Sequence, residues 1–169
     1  MLDHFDHDAL RDGLRTAGAD SWCIFDFHGL NPVLGRVVGS VGMGTRRLFV
    51  FLTPGEEPVA VAHRIELQPL ADFPGRVIPY SRWEELHAAL RPLVQGRTLA
   101  MEVSPHDAVP YLDRVPHGVV QLLESFGARI VPSPWVSLPC GETQNSCGAA
   151  GSAEQKTRKK AACITRRIF

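Results

Sequence analysis

The run Arg47-Leu48-Phe49-Val50-Phe51-Leu52 is apolar at every position after its arginine. Alternate residues of a strand point to opposite faces. A strand apolar on both faces needs both faces covered, so this run predicts a central strand of a sheet with layers above and below it. Thr53-Pro54-Gly55-Glu56-Glu57 is turn chemistry, with Pro and Gly at the two central positions of a type II turn. Pro58-Val59-Ala60-Val61-Ala62 then reads as the hairpin partner, and Pro58 suits a strand start. Trp22 to Phe27, Thr98 to Val103 and Ala128 to Val131 are further strand candidates, rich in aromatic or β-branched residues. Val77-Ile78-Pro79-Tyr80 reads as a short edge strand, since proline cannot complete a central ladder.

Helical segments fall between these strands. From Asp3 to Gly18 the residues Phe5, Ala9, Leu10, Leu14 and Ala17 approximate one stripe, with Gly18 as the end cap. Gly13 inside it weakens the helix by about 1 kcal/mol relative to Ala. Pro32 starts a short helix through Val38. Ser81-Arg82-Trp83-Glu84 has the form of a capping box, in which the serine hydroxyl and the glutamate each satisfy one orphan N–H. Trp83, Leu86, Leu90 and Leu93 follow at helical spacing and predict a face packed on the sheet. Ser104-Pro105 repeats the helix-start pattern, and Pro116 opens one more helix that Gly127 ends. The order α-β-α-β-β-β-α-β-α-α-β means a layered α/β domain with a mixed sheet.

The 169 residues, 44% of them hydrophobic, suit one domain. No apolar run reaches the ~18 residues that cross a bilayer, and the acidic start is unlike a signal peptide, which makes the cytoplasm the default location. The formal net charge of zero argues against a domain built to bind nucleic acid. That zero conceals a division. Residues 1–139 hold 12 Arg, no Lys and 16 acids, a net of −4, whereas residues 140–169 hold 3 Arg, 3 Lys and 2 acids, a net of +4. Three of the four cysteines, Cys140, Cys147 and Cys163, also fall in the last stretch. The expected organisation is a domain over 1–137 and an irregular, basic, cysteine-containing tail over 138–169, because small polar residues there cannot offset the entropy of ordering.

Candidate chemistry is sparse. His4, Asp6, His7 and Asp8 are metal-ligand types, but a metal site needs further ligands from elsewhere, and a solvated first helical turn explains them. Gly39 to Gly44 is a glycine-rich loop before a strand, the reverse of the strand–loop–helix order that cradles phosphate. The Arg46-Arg47 pair that ends it suits bidentate carboxylate binding. Asp26, His28, His63 and Glu66 fall at strand ends, where α/β domains place functional groups. Cys23 reads as an inert buried thiol, and the spacing of the tail cysteines lacks the close pairs of a zinc site.

Several segments in order resemble one family. They are Asp26-Phe-His-Gly-Leu-Asn31-Pro32, Thr45-Arg46-Arg47-Leu-Phe-Val-Phe-Leu-Thr-Pro54, Gly55-Glu-Glu57-Pro58, His63-Arg-Ile65-Glu66, Tyr80-Ser-Arg-Trp83-Glu-Glu-Leu86 and Ala100-Met101-Glu102-Val-Ser104-Pro105. Together they are similar to the N-terminal, creatinase-type domain of Xaa-Pro aminopeptidases and prolidases, the M24 metallopeptidases, over residues 7–137. The resemblance implies a three-layer αβα module with a mixed sheet. It implies oligomer contacts, and loops lent to the rim of a neighbouring active site. The chemistry of such enzymes belongs to a following domain in which carboxylates and a histidine hold two divalent metal ions, for example manganese, that activate water. From Cys140 onward the chain resembles nothing in that family. His28, Asn31, Arg46, Arg47, His63 and Glu66 carry over as substrate-rim or interface candidates, with no catalytic residue and no metal ligand among them.

The expectation is therefore a solitary or truncated creatinase/prolidase N-terminal domain, inactive alone, whose partners are a second copy in a homodimer or the parent's catalytic domain. Two rivals are an autonomous α/β module that binds a small molecule or peptide, and a hydrolase with a site among Asp26, His63 and Glu66.

Overall fold

The computed structural model describes residues 6–39 and 44–133. The expectations for residues 3–5, for the centre of the glycine-rich loop and for the tail lie outside them. The first helix begins at a side-chain cap. The Asp6 carboxylate accepts from the N–H groups of Asp8 and Ala9 at 3.0 and 2.9 Å, which starts α1 (His7–Ala17). Gly18 closes the helix in the left-handed region, at φ 63°. β1 (Ser21–Asp26) follows, then α2 (Pro32–Val37), capped by the Asn31 side chain, which accepts from Val33 N–H.

The predicted central strand is β2 (Leu48–Leu52), paired antiparallel to β1 on one side and to β3 (Val59–His63) on the other. Between β2 and β3 the Thr53 carbonyl accepts from Glu56 N–H at 3.1 Å, with Gly55 at φ 80°, as a type II turn requires. The sheet over the described residues has six strands in the order β4-β3-β2-β1-β5-β6, where β4 is Arg76–Tyr80, β5 Thr98–Met101 and β6 Arg129–Pro132. The Pro79 strand is an edge, as expected. β4 is parallel to β3, and β1, β5 and β6 are parallel to one another, so β2 alone runs against the rest.

Helices cover both faces. On one side α3 (Trp83–Val94) and α4 (His117–Ser125) place Leu86, Leu90, Val94, Val119 and Leu123 against Phe25, Phe49 and Leu99. On the other, α1 and α2 place Leu10, Leu14 and Leu34 against Trp22, Ile24 and Val50. This is a three-layer αβα domain. Each fully buried Leu, Val or Phe contributes about 1.5–3 kcal/mol.

Three local expectations are corrected. Ser81 and Glu84 make no capping box. The N-cap is Arg82, without a side-chain cap, and the Ser81 N–H donates to Glu85 instead, at 2.7 Å. Trp83 is not packed on the sheet but 49% exposed, because the first residue of α3 lies beyond the strand ends; Val94 completes the buried stripe. The Pro105 segment forms only a three-residue 3₁₀ turn, Pro105–Asp107. His106 and Asp107 sit there at φ 57° and 54°, which no α-helix contains. No helix among the described residues is long and apolar enough to cross a membrane.

Candidate functional site

Strand direction assembles the site. Because β1, β3, β4 and β5 are parallel and β2 is reversed, the loops after those four strands meet the approach to β2 at one end of the sheet. The large hydrophobic side chains exposed among the described residues are Phe27, Leu30, Ile65, Trp83, Val109 and Tyr111. All six lie in these loops or at their borders. Single exposed apolar residues need no explanation, but a gathering of them at one place does.

A cleft of about 290 Å³ opens at this end, floored by Leu48, Ala62 and Leu70 and rimmed by Arg46, Arg47 and His63. Two carboxylates line it, and both are occupied. Asp26, at the end of β1 and buried, accepts from Gly29 N–H at 2.9 Å and Asn31 N–H at 2.8 Å. Those bonds hold a loop in which His28 and Gly29 are both left-handed, at φ 63° and 69°, a conformation that histidine tolerates better than most residues. Glu66, in the 3₁₀ turn after β3, accepts from Thr45 N–H at 2.6 Å, Thr45 Oγ1 at 2.8 Å and Arg46 N–H at 3.2 Å. Partial burial pushes its carboxyl up, but the Thr45 hydroxyl, the two N–H groups and the Arg46 charge outweigh that and hold it below the usual carboxylate range.

His63 turns inward on its own loop. Its Nδ1 accepts from Ile65 N–H at 3.3 Å, and its ring stands edge-on to Tyr80, 5.1 Å between centroids. Arg47 is different. Its guanidinium lies 4.6 Å from the Trp83 ring centroid and 5.9 Å from that of Phe27, and it makes no ion pair among the described residues. Its carbonyl takes the Tyr80 hydroxyl at 2.8 Å, which fixes the backbone beneath it. Stacking on an aromatic face leaves the planar edge of a guanidinium open to a carboxylate or phosphate.

Of the six residues singled out from the sequence, Arg46, Arg47, His63 and Glu66 line one cleft. His28 does not line it and is exposed, its ring 4.4 Å from that of Phe27. Asn31 is buried beneath, donating to Phe25 O at 2.8 Å and to Glu102 at 3.0 Å. Glu102 itself was absent from the candidates, although it sits inside one of the resembling segments. It is 2% exposed and receives the Trp22 indole N–H at 2.7 Å and the Ser133 hydroxyl at 3.0 Å as well as Asn31. Its signal in the sequence is a lone carboxylate directly after three buried strand residues.

The arrangement can orient an anion over an apolar floor. Among the described residues no three His, Cys, Asp or Glu side chains come together as a group that could hold a metal ion, so these residues do not fit a metal pair. Cys23 is fully buried, and burial, with the Glu102 charge, raises its thiol well above its ordinary value, away from the thiolate a nucleophile needs.

The fold is that of creatinase/prolidase N-terminal domains. The chain is similar to the creatinase/prolidase N-terminal domain of an X-Pro dipeptidase from Streptococcus pyogenes, with a TM-score of 0.55 and 17% identity over 73% of this chain and 89% of that one. A Creatine_N superfamily domain of a dipeptidase from Streptococcus thermophilus gives a TM-score of 0.57 and 16% identity over 77% of this chain and 94% of that one. Prolidase from Pyrococcus horikoshii OT3 gives a TM-score of 0.55 and 16% identity over 77% of this chain, which spans 33% of that enzyme's length. No family model and no curated protein matches the sequence.

Proposed function

We propose that this chain provides the accessory N-terminal domain of a prolidase-like metallopeptidase, a module that docks and frames a neighbouring active site without catalysing by itself. One observation carries the reading: the exposed large apolar side chains and the stacked Arg47 share the end of the sheet where the strand-end loops converge. A domain that worked alone would have little use for so many apolar side chains in water. A domain that meets a catalytic partner, or a second copy of itself, buries them. A pair of divalent ions such as manganese would belong to that catalytic partner.

The cleft favours a second reading, an autonomous module that takes a small anionic molecule or peptide on Arg46 and Arg47. One set of measurements tests both. The purified chain is incubated with manganese and an Xaa-Pro dipeptide, and released amine is followed. The expected result is no turnover and no saturable binding of the dipeptide at Arg47. Saturable dipeptide binding by the chain alone, abolished in Arg47→Ala, would favour the autonomous module. Turnover that survives repurification and disappears in Asp26→Ala or His63→Ala would overturn both readings and identify a hydrolase.

A further inference from the structure

The cleft does not use Glu102, yet among the described residues no other buried carboxylate joins so many parts of the chain. Its Oε1 takes the Trp22 indole N–H of β1 at 2.7 Å and the Ser133 hydroxyl beyond β6 at 3.0 Å. Its Oε2 takes the Asn31 amide at 3.0 Å. From Asn31 the path continues outward: the Asn31 backbone N–H and that of Gly29 both donate to Asp26, which shapes the loop bearing Phe27, His28 and Leu30. Ser133 is also fixed by its own N–H, which donates to Met101 O at 2.8 Å. Four hydrogen bonds thus run without a break from the end of β6 to the exposed loop after β1.

We infer that Glu102 is a positioning residue that couples the course of the chain at Ser133 to the geometry of the Phe27–Leu30 loop. The inference goes beyond the docking reading and does not need it, because every contact in the path lies within this domain. Contiguity alone does not establish coupling; what makes it physical here is burial. A half-satisfied buried network is unstable, so removing the Ser133 donor forces the carboxyl to rearrange, and Asn31 has to follow. The groups facing the carboxyl are the Trp22 indole, the Asn31 amide and the Ser133 hydroxyl; its charge also opposes ionisation of the buried Cys23 thiol. Burial raises the Glu102 carboxyl above its ordinary range, and the three donors reduce that rise without cancelling it.

The test is amide hydrogen exchange on the full chain, with the Trp22 indole N–H resonance as a local reporter. In Ser133→Ala the Gly29 and Asn31 amides should exchange about tenfold faster, the scale of one lost hydrogen bond to a carboxylate. Amides of α3 and α4 should stay within twofold. In Glu102→Gln the same two amides should loosen, and the pH-dependent shift of the Trp22 indole resonance should vanish. If Ser133→Ala leaves Gly29 and Asn31 unchanged while Glu102→Gln loosens them, the tie to β6 is refuted. If either variant accelerates every amide equally, the carboxyl serves stability alone, and the inference fails. If neither variant moves those amides, it fails as well.

Discussion

Arg47 shows how much one side chain depends on its neighbours. Nothing in the local sequence distinguishes it from Arg46, which folds back on Thr45 with bonds of 3.0 and 3.3 Å. Arg47 instead reaches Trp83, 36 positions along the chain. Trp83 reads as core in a helical stripe, because periodicity does not reveal that the first turn overhangs the sheet. Arg47→Ala should cost about 0.5–1 kcal/mol, the worth of an exposed cation–π contact, and should shift Trp83 emission toward that of a solvated indole. Arg47→Lys keeps the charge but loses the flat stack, so its emission should lie between the two. Glu102 was illegible for a related reason: its partners lie 80, 71 and 31 positions away, and no local pattern announces such a meeting. Gly75 is another residue set by a distant one. A Cβ there would strike the Pro58 carbonyl oxygen, to which Arg76 N–H donates at 2.9 Å as β4 joins β3. Gly75→Ala should therefore destabilise by about 1–3 kcal/mol, the usual cost of overpacking, read from thermal melts.

At the scale of elements, two carboxylates at the same end of the sheet oppose each other in pH. Glu66 ties the 3₁₀ turn after β3 to Thr45 and Arg46, and its folded value lies below the ordinary 4.5. Its contribution is present above the unfolded value and is lost as pH falls through the lowered one. Acidification should release Thr45 and Arg46, seen as a titration of their amide resonances that Glu66→Gln abolishes. Glu102 lies above 4.5, so its contribution is present below the unfolded value and is lost as pH rises through the raised one. The stability of the wild-type chain relative to Glu102→Gln should accordingly fall as pH rises from the ordinary 4.5 through the raised value, by chemical denaturation at each pH. A constant difference would mean that the buried carboxyl does not titrate there. The elements themselves were largely legible. Two-face apolarity placed β2 at the centre, Pro79 marked an edge, and Gly18 and Gly127 ended helices at φ 63° and 90°. What escaped was chemistry that depends on one residue of offset. A capping box needs its glutamate at the third helical position, but α3 begins at Trp83, which places Glu85 there in place of Glu84. Likewise, Ser-Pro starts a 3₁₀ turn as readily as an α-helix, and the left-handed His106 and Asp107 stop it from growing.

At the scale of the molecule, the end of the sheet decides how the chain meets others. Its loops expose Leu30 and Ile65 at 67% and 69%, with Phe27 and Trp83 already engaged by Arg47. Contiguous apolar patches beyond a few hundred Å² are uncommon on monomers, so the isolated chain should self-associate as its concentration rises. The cause can be separated from charge. Contacts between exposed charges weaken once salt shortens the screening length to about 3 Å near 1 M, whereas apolar burial does not. Sedimentation velocity over a concentration series should thus show association that persists at high salt. Leu30→Glu and Ile65→Glu replace apolar side chains in loops and touch no core contact, so each should weaken association while leaving thermal stability within about 0.5 kcal/mol. Glu57, exposed in the turn between β2 and β3 at the opposite end of the sheet, supplies the control: Glu57→Gln should leave association unchanged. A wild-type chain that stays monomeric throughout the series would remove the main reason for reading this end as a docking surface. The cleft and its stacked arginine would then stand as a binding site that serves this domain alone.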